Sequence, residues 1–209
     1  MKAFTVLEGV AAPLLRPNIN TDIIIRIERL RDLERDELGP YAFESWRYRR
    51  DGTEDPAFVL NKPQYREARI MIGGENFACG SSREAAVWAL QSFGIRCVIA
   101  PSFGPIFFTN CFQNGVLPVV VPAKVVDDLA AEVEATQGKG KVTIDLHRCV
   151  VISPSGKETP FTIDAMLREA MLEGLDQIEL TRTREPQIAA FQARDRVRHP
   201  WLYLPPRQV

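Results

Sequence analysis

"ARIMIGGENFACGSSREAAVWALQSFGIRCVIAPSF", Ala68 to Phe103, decides the fold. Its first seven residues are short, apolar and closed by Gly73 and Gly74, the pattern of a buried strand. From Ser82 to Gly94 the apolar residues Ala85, Ala86, Val87, Ala89, Leu90 and Phe93 fall on helical spacing, and Gly94 stands where helices end in the left-handed conformation. "RCVIAPSF" (Arg96 to Phe103) reads as the next strand. Outward from there, "GPIFFTNCFQNG" carries Pro105 near the start of a short helix and Gly115 after its end, and "VLPVVV" (Val116 to Val121) resumes a buried strand. The βαβαβ rhythm predicts an α/β fold with a mixed, partly parallel sheet and right-handed crossovers.

The flanks extend this pattern. "AKVVDDLAAEVEATQ" (Ala123 to Gln137) predicts a helix stopped at Gly138, and "KVTIDLHRCVVIS" (Lys141 to Ser153) alternates as a hairpin does. In "TIDAMLREAMLEG" Asp164 is the expected N-cap and Gly174 the closing residue. Beyond Arg182 the composition turns basic and proline-bearing; it reads as one helix followed by a tail whose last dozen residues are mobile or docked on a partner. One main domain over residues 1–192 and a C-terminal tail over 193–209 are expected. The charge run "RIERLRDLERDE" (Arg26 to Glu37) fits a solvated face or the lining of a pocket for a charged substrate.

Composition narrows the function. The 209 residues are 45% hydrophobic and 25% charged, as in ordinary globular proteins. With 26 Lys and Arg against 27 acids, no basic field directs the chain to nucleic acid or to an anionic membrane. "MKAFTVLEGVAAPLL" is interrupted by Glu8 and Pro13, unlike a signal peptide, and no apolar run nears the roughly 20 residues of a membrane span. A cytoplasmic location is expected. Cys79, Cys97, Cys111 and Cys149 are scattered without CxxC pairs, and with His147 and His199 the only histidines no self-contained metal site is predicted.

Familiar catalytic signatures are missing. "GGENFACG" lacks GxGxxG spacing, "GKGK" (Gly138 to Lys141) is not a P-loop, and there is no GxSxG elbow. What remains is the serine pair. Ser81 followed three residues later by Glu84 is a capping box. A helix start after Gly80 also offers free N–H groups and partial positive charge to a carboxylate, with Arg83 placed for a bidentate grip. Proton abstraction by Ser81 would need that same field, because an unaided hydroxyl is a poor base.

"GGENFACGSSREAAVWAL" (Gly73 to Leu90) and "GIRCVIAPSFGPIFFTNCFQNGVLPV" (Gly94 to Val119) resemble the swivelling domain of the aconitase family, in the branch formed by the small subunits of 3-isopropylmalate dehydratases. "NINTDIII" (Asn18 to Ile25), "FESWRY" (Phe43 to Tyr48), "DPAFVLNKPQY" (Asp55 to Tyr65), "FTIDAMLREAMLEGLDQIELT" (Phe161 to Thr181) and "IAAF" (Ile188 to Phe191) carry the similarity from about Thr5 to Gln192 in order. The resemblance implies a single swivelling β/β/α domain and a two-subunit hydro-lyase, a heterodimer or heterotetramer. A large subunit would carry a [4Fe-4S] cluster whose iron acts as Lewis acid on the departing hydroxyl, with none bound by this chain. Ser81 is implied as the base at carbon next to a carboxylate, and Ser82 and Arg83 as carboxylate ligands. Thr21 and Asp22 belong to the same signature, although an Asx-type turn explains them equally well. Dehydration and rehydration would convert 2-isopropylmalate to 3-isopropylmalate in leucine biosynthesis.

Three positions leave the family pattern. Ala85 stands where a histidine usually follows Ser-Ser-Arg-Glu, and Arg26 replaces a proline. "RDELG" (Arg35 to Gly39) replaces a loop that helps choose the substrate's side chain. Arg35 is expected to keep a substrate-binding role, while Asp36 and Glu37 add charge that an isopropyl group does not use. A related diacid such as citramalate or dimethylmalate, or a non-catalytic paralogue that binds the large subunit, are the alternatives these departures raise.

Overall fold

Val10 divides the opening of the chain into two strands that enter different sheets, β1 (Val6–Gly9) and β2 (Ala11–Leu14). Their burial explains the parting. β1 alternates exposed and buried residues, as a one-sided antiparallel strand does, whereas all four residues of β2 are buried, as in a parallel sheet covered on both faces. The computed structural model describes residues 1–80 and 83–203. After β2 come short helical turns α1 (Thr21–Ile24), α2 (Arg29–Asp32) and α3 (Glu44–Arg47), with 3-10 turns at Arg35–Glu37, Gly39–Tyr41, Val59–Asn61 and Pro63–Tyr65. The expected alternation follows as β3 (Ile70–Gly73), α4 (Ala85–Phe93), β4 (Cys97–Ala100), α5 (Pro105–Gln113) and β5 (Leu117–Val120), then α6 (Ala123–Ala135). The chain closes with β6 (Val142–Asp145), β7 (Val150–Ile152), β8 (Glu158–Pro160), α7 (Ala165–Glu173), α8 (Gln177–Arg182), α9 (Glu185–Arg198) and a 3-10 turn at Pro200–Tyr203.

The mixture of pairing expected of one sheet is distributed over two. β2-β3-β4-β5 is parallel throughout, with Ala11, Ile70, Cys97 and Leu117 in register; β1-β6-β7-β8 is antiparallel throughout, with Leu7, Ile144, Val151 and Thr159 in register. Pro13 is accommodated because β2 lies at an edge of its sheet. Every residue of β3 and β4 is buried. One cover of this sheet is α6, whose Val126, Leu129, Ala130 and Val133 are buried at i, i+3, i+4 and i+7 and which packs on β2, β3 and β4. Val126, Leu129 and Val133 each contribute about 1.5–3 kcal/mol through burial, and Ala130 less.

The end signals hold. Asp164 caps α7 by accepting from the N–H groups of Met166 (2.9 Å) and Leu167 (3.2 Å), and Gly174 closes it at φ 71°. The charge run from Arg26 to Glu37 is mostly a solvated face, with Leu30 and Leu33 turned toward the core. No residue of α8 or α9 is buried. The boundary read at 192/193 therefore falls inside α9, a continuous helix with exposed Ile188 and Phe191, and packing on the body ends earlier, near Gly174. Residues 204–209 of the expected tail lie outside the described residues. Among those described, no helix is long and apolar enough to cross a membrane.

Candidate active site

The loops that follow β2, β3 and β4 meet at the C-terminal edge of the parallel sheet, where open α/β sheets bind ligands. Asn76 donates its backbone N–H to Ser102 Oγ (2.8 Å) and its side-chain amide to Asn18 Oδ1 (2.8 Å). Phe77 bonds toward one side, donating to the Ser102 carbonyl (3.0 Å) and accepting from Gly104 (2.9 Å). Cys79 bonds toward the other, donating to the Ile19 carbonyl (3.0 Å) and accepting from Thr21 (3.0 Å). Asn76, Ala78 and Gly80 all have positive φ, at 54°, 56° and 87°. For Ala78 this conformation costs about 1–3 kcal/mol. It is held in place because Phe77 is buried against Phe103 and Phe107, with centroids 6.2 and 5.8 Å away. A Cβ on Gly80 would lie 2.7 Å from Asn20 Nδ2, so glycine is required there for space as well as for φ.

Ser81 and Ser82, expected as base and carboxylate ligand, lie outside the described residues. Their flanks are well defined. α4 proper starts at Ala85, with one turn from Arg83 to Val87 leading into it: Ala86 donates to the Arg83 carbonyl (3.2 Å) and Val87 to that of Glu84 (2.9 Å). The serine half of the expected capping box falls outside the described residues, and its glutamate is engaged elsewhere: Glu84 Oε1 accepts from Asn114 Nδ2 at 2.9 Å. Ala85, where the family pattern has histidine, is buried in the core.

Arg83 forms an ion pair with Asp22. Asp22 is presented by α1, which starts there because the Asn20 side chain accepts the Asp22 N–H (2.9 Å) and because Thr21 N–H is tied to Cys79. Thr21 is itself buried and so supports the site from beneath. Above it, Asp22, Ile23, Arg26, Ile27, Glu28, Ser45 and Arg83 line an open cleft of about 380 Å³. Arg26 is shared between Glu28 (3.4 Å) and Glu44 (3.5 Å). A backbone hydrogen bond first, then Arg26, and lastly the field of Arg83 hold the Glu28 carboxyl below its ordinary range, so it remains ionised at the cleft rim. Two guanidinium groups, each paired with a carboxylate, stand at this cleft with two isoleucines.

Arg35 is not part of this cleft. Its guanidinium reaches Gln91 Oε1 (2.9 Å) and Asn114 Oδ1 and lies over the Trp88 ring at 5.2 Å. The physical reason is the clamp on its turn: Gly39 N–H donates to Ser92 Oγ (3.0 Å), and the Ser92 hydroxyl donates to the Asp36 carbonyl, fastening residues 35–39 to the C-terminal half of α4. The structure thus brings together Thr21, Asp22 and Arg83 and separates Arg35 from them. Arg26, Ile23, Ile27 and Ser45 were not singled out as site residues. The charge run offered a partial signal for Arg26; the aliphatic pair offered none.

No group of three or more His, Cys, Asp or Glu side chains able to hold a metal gathers among the described residues. Cys97 and Cys111 are fully buried, and burial pushes their thiols up, away from the thiolate a metal requires.

Residues 1–124 match the family described as the aconitase C-terminal domain, and residues 127–165 match LeuD_N. The first match spans more than half of the 209 residues, and the chain belongs to the aconitase C-terminal domain family. Within it, the chain is similar to proteins named 3-isopropylmalate dehydratase small subunit. That of Paramagnetospirillum magneticum is 50% identical over 203 residues, covering 97% of this chain and 100% of the relative. That of Cupriavidus necator is 48% identical over 205 residues, covering 97% and 99%. The crystal structure of 3-isopropylmalate dehydratase from Methanocaldococcus jannaschii superposes with a TM-score of 0.63 at 25% identity, covering 89% of this chain and 99% of that one.

Proposed function

We propose that this chain is the small, swivelling subunit of a two-subunit iron–sulfur hydro-lyase that isomerises 2-isopropylmalate to 3-isopropylmalate by dehydration and rehydration, a step of leucine biosynthesis. The observation that carries the substrate reading is the cleft lined by Arg83 and Arg26 together with Ile23 and Ile27. Arg83, oriented by Asp22, grips a substrate carboxylate together with Ser82. Ser81 removes the proton from the carbon next to that carboxylate and returns it on rehydration. The reading assigns the cluster to a large subunit, in a heterodimer or heterotetramer, and the reaction to the cytoplasm; four free cysteines, two of them buried, suit a reducing compartment.

The charge added by Asp36 and Glu37 motivated a different diacid. Neither residue lines the cleft: the Asp36 carbonyl holds Ser92, and the Glu37 carboxylate accepts the Glu34 N–H at 2.8 Å. An apolar wall of Ile23 and Ile27 favours the isopropyl group over the smaller substituents of citramalate. The burial of Ala85 in the core places it in packing rather than in the cleft, which weakens the case for a non-catalytic paralogue.

Reconstitution with a cognate large subunit tests the proposal. Turnover of 2-isopropylmalate is expected from the two chains together and from neither alone. Turnover of citramalate or dimethylmalate with none of 2-isopropylmalate moves the assignment to that substrate, and undiminished activity of Ser81→Ala removes the base role.

A further inference from the structure

We propose that Asn114 is a positioning residue for the active site: it locks the turn that carries Arg83 to α5 and to the clamped loop that ends the 26–37 segment. The inference rests on the reading of the Arg83 cleft as the substrate site. Asn114 follows α5 and is buried at 4% exposure. Its side-chain oxygen accepts from Arg35 Nη2 and from Trp88 Nε1 (3.1 Å), and its amide nitrogen donates to Glu84 Oε1 (2.9 Å) and to the Asn110 carbonyl (2.8 Å). Its backbone carbonyl takes a further bond from Gln91 Nε2 (2.7 Å).

The orientation of this amide is set by chemistry. Arginine and the indole N–H only donate, while a carboxylate and a carbonyl only accept, so oxygen must face the first pair and nitrogen the second. Asparagine alone among side chains of this size meets all four demands. Aspartate would set a carboxylate against Glu84, and leucine would strand two donors and two acceptors.

Three stretches that flank the site meet at the knot. Glu84 makes no side-chain cap on its own helix, and its carboxylate is anchored through Asn114, one residue from Arg83 and two from Ser82. Trp88 and Gln91 extend the anchorage along α4. Arg35 opens the final turn of the segment whose first residues, Arg26 and Ile27, line the cleft. Asn114 touches no cleft atom and acts by keeping the turn and the segment at one spacing, which suits a substrate gripped between Arg83 and those residues. Arg35, expected as a substrate ligand, works through Asn114 instead.

The test is Asn114→Asp in the reconstituted two-chain enzyme, with Asn114→Asp/Glu84→Gln as the rescue that restores a donor facing an acceptor. Because a buried hydrogen bond to a charged group is worth about a factor of ten or more in an equilibrium, KM for 2-isopropylmalate is expected to rise about tenfold in the single variant with kcat within about threefold, and to recover most of the way in the double variant. Amide exchange across residues 84–88 should accelerate and recover in parallel. Should Asn114→Asp not fold, Glu84→Ala, which removes the carboxylate and leaves the other bonds of Asn114, carries the same expectation. An unchanged KM, a loss confined to kcat, or a double variant no better than the single would overturn the proposal. If the wild-type enzyme does not use 2-isopropylmalate, the functional reading fails separately; the lock is then judged by exchange alone, and unchanged protection in Asn114→Asp refutes it.

Discussion

The two sheets have four strands each and differ in almost everything else. The parallel sheet is buried on both faces and throws three of its loops to one edge, where they lace together residues 18–21, 76–80 and 102–104. The antiparallel sheet keeps one face toward solvent, and its β6–β7 and β7–β8 connections contribute nothing to the cleft. Parallel strands all end on the same side, so their connections can converge; antiparallel strands send theirs alternately to opposite ends. The candidate site lies at one edge of one sheet for that reason.

The sharpest contrast should come from Ser81→Ala. With Ser81 as the proposed general base, its loss should lower kcat by about 10²- to 10⁴-fold, measured on the reconstituted complex, while thermal stability stays close to wild type. Next is a pair of core truncations followed by denaturant titration. Ile99→Ala in β4, fully buried, should cost about 2–5 kcal/mol, whereas Ile152→Ala in β7, half-buried, should cost about 1 kcal/mol. Equal losses would remove the distinction between the sheets.

Two glycines make the comparison at matched backbone geometry. Gly80 and Gly156 both sit at φ 87°, but a Cβ on Gly80 meets Asn20 Nδ2 at 2.7 Å and one on Gly156 meets nothing within 4 Å. Gly156→Ala, in the β7–β8 turn, should cost only backbone strain, about 1 kcal/mol. Gly80→Ala should cost more and lower activity as well, because Asn20, which caps α1 and so presents Asp22, must shift. An active Gly80→Ala enzyme of normal KM would show that the loop tolerates movement.

The smallest effect concerns the tie between the sheets. Hydrogen bonding from Ser153, and then from Ser155, holds the Glu132 carboxyl below its ordinary value despite some burial. Its contribution is present above the ordinary carboxylate pKa and is lost as pH falls through the lowered folded value. Glu132→Gln should therefore lower the melting temperature slightly at neutral pH and leave it unchanged in strong acid, where both side chains are uncharged.

Local chemistry made much of this legible. Continuous apolar runs announced β3, β4 and β5, and Asp164, Gly94 and Gly174 marked helix ends because the required side chain or backbone freedom resides in a single residue. Arg83 stands out within its own motif, but its ion-pair partner Asp22 comes from a separate stretch of chain. The site was not legible where a contact depends on backbone carbonyls distant in sequence: the Ser92 hydroxyl on the Asp36 carbonyl withdrew Arg35 from the cleft, and no residue pattern announces such a bond. Asn114 was hidden for a related reason. Before Gly115 it reads as an ordinary helix end, and its four side-chain partners come from three separate stretches of chain.

Val10 is the single residue between β1 and β2, and its carbonyl also accepts from Arg69 (3.0 Å) and Ile70 (3.3 Å). A joint one residue long, pinned by two hydrogen bonds, leaves no slack for a hinge. Any swivelling against a partner subunit would then carry the two sheets together.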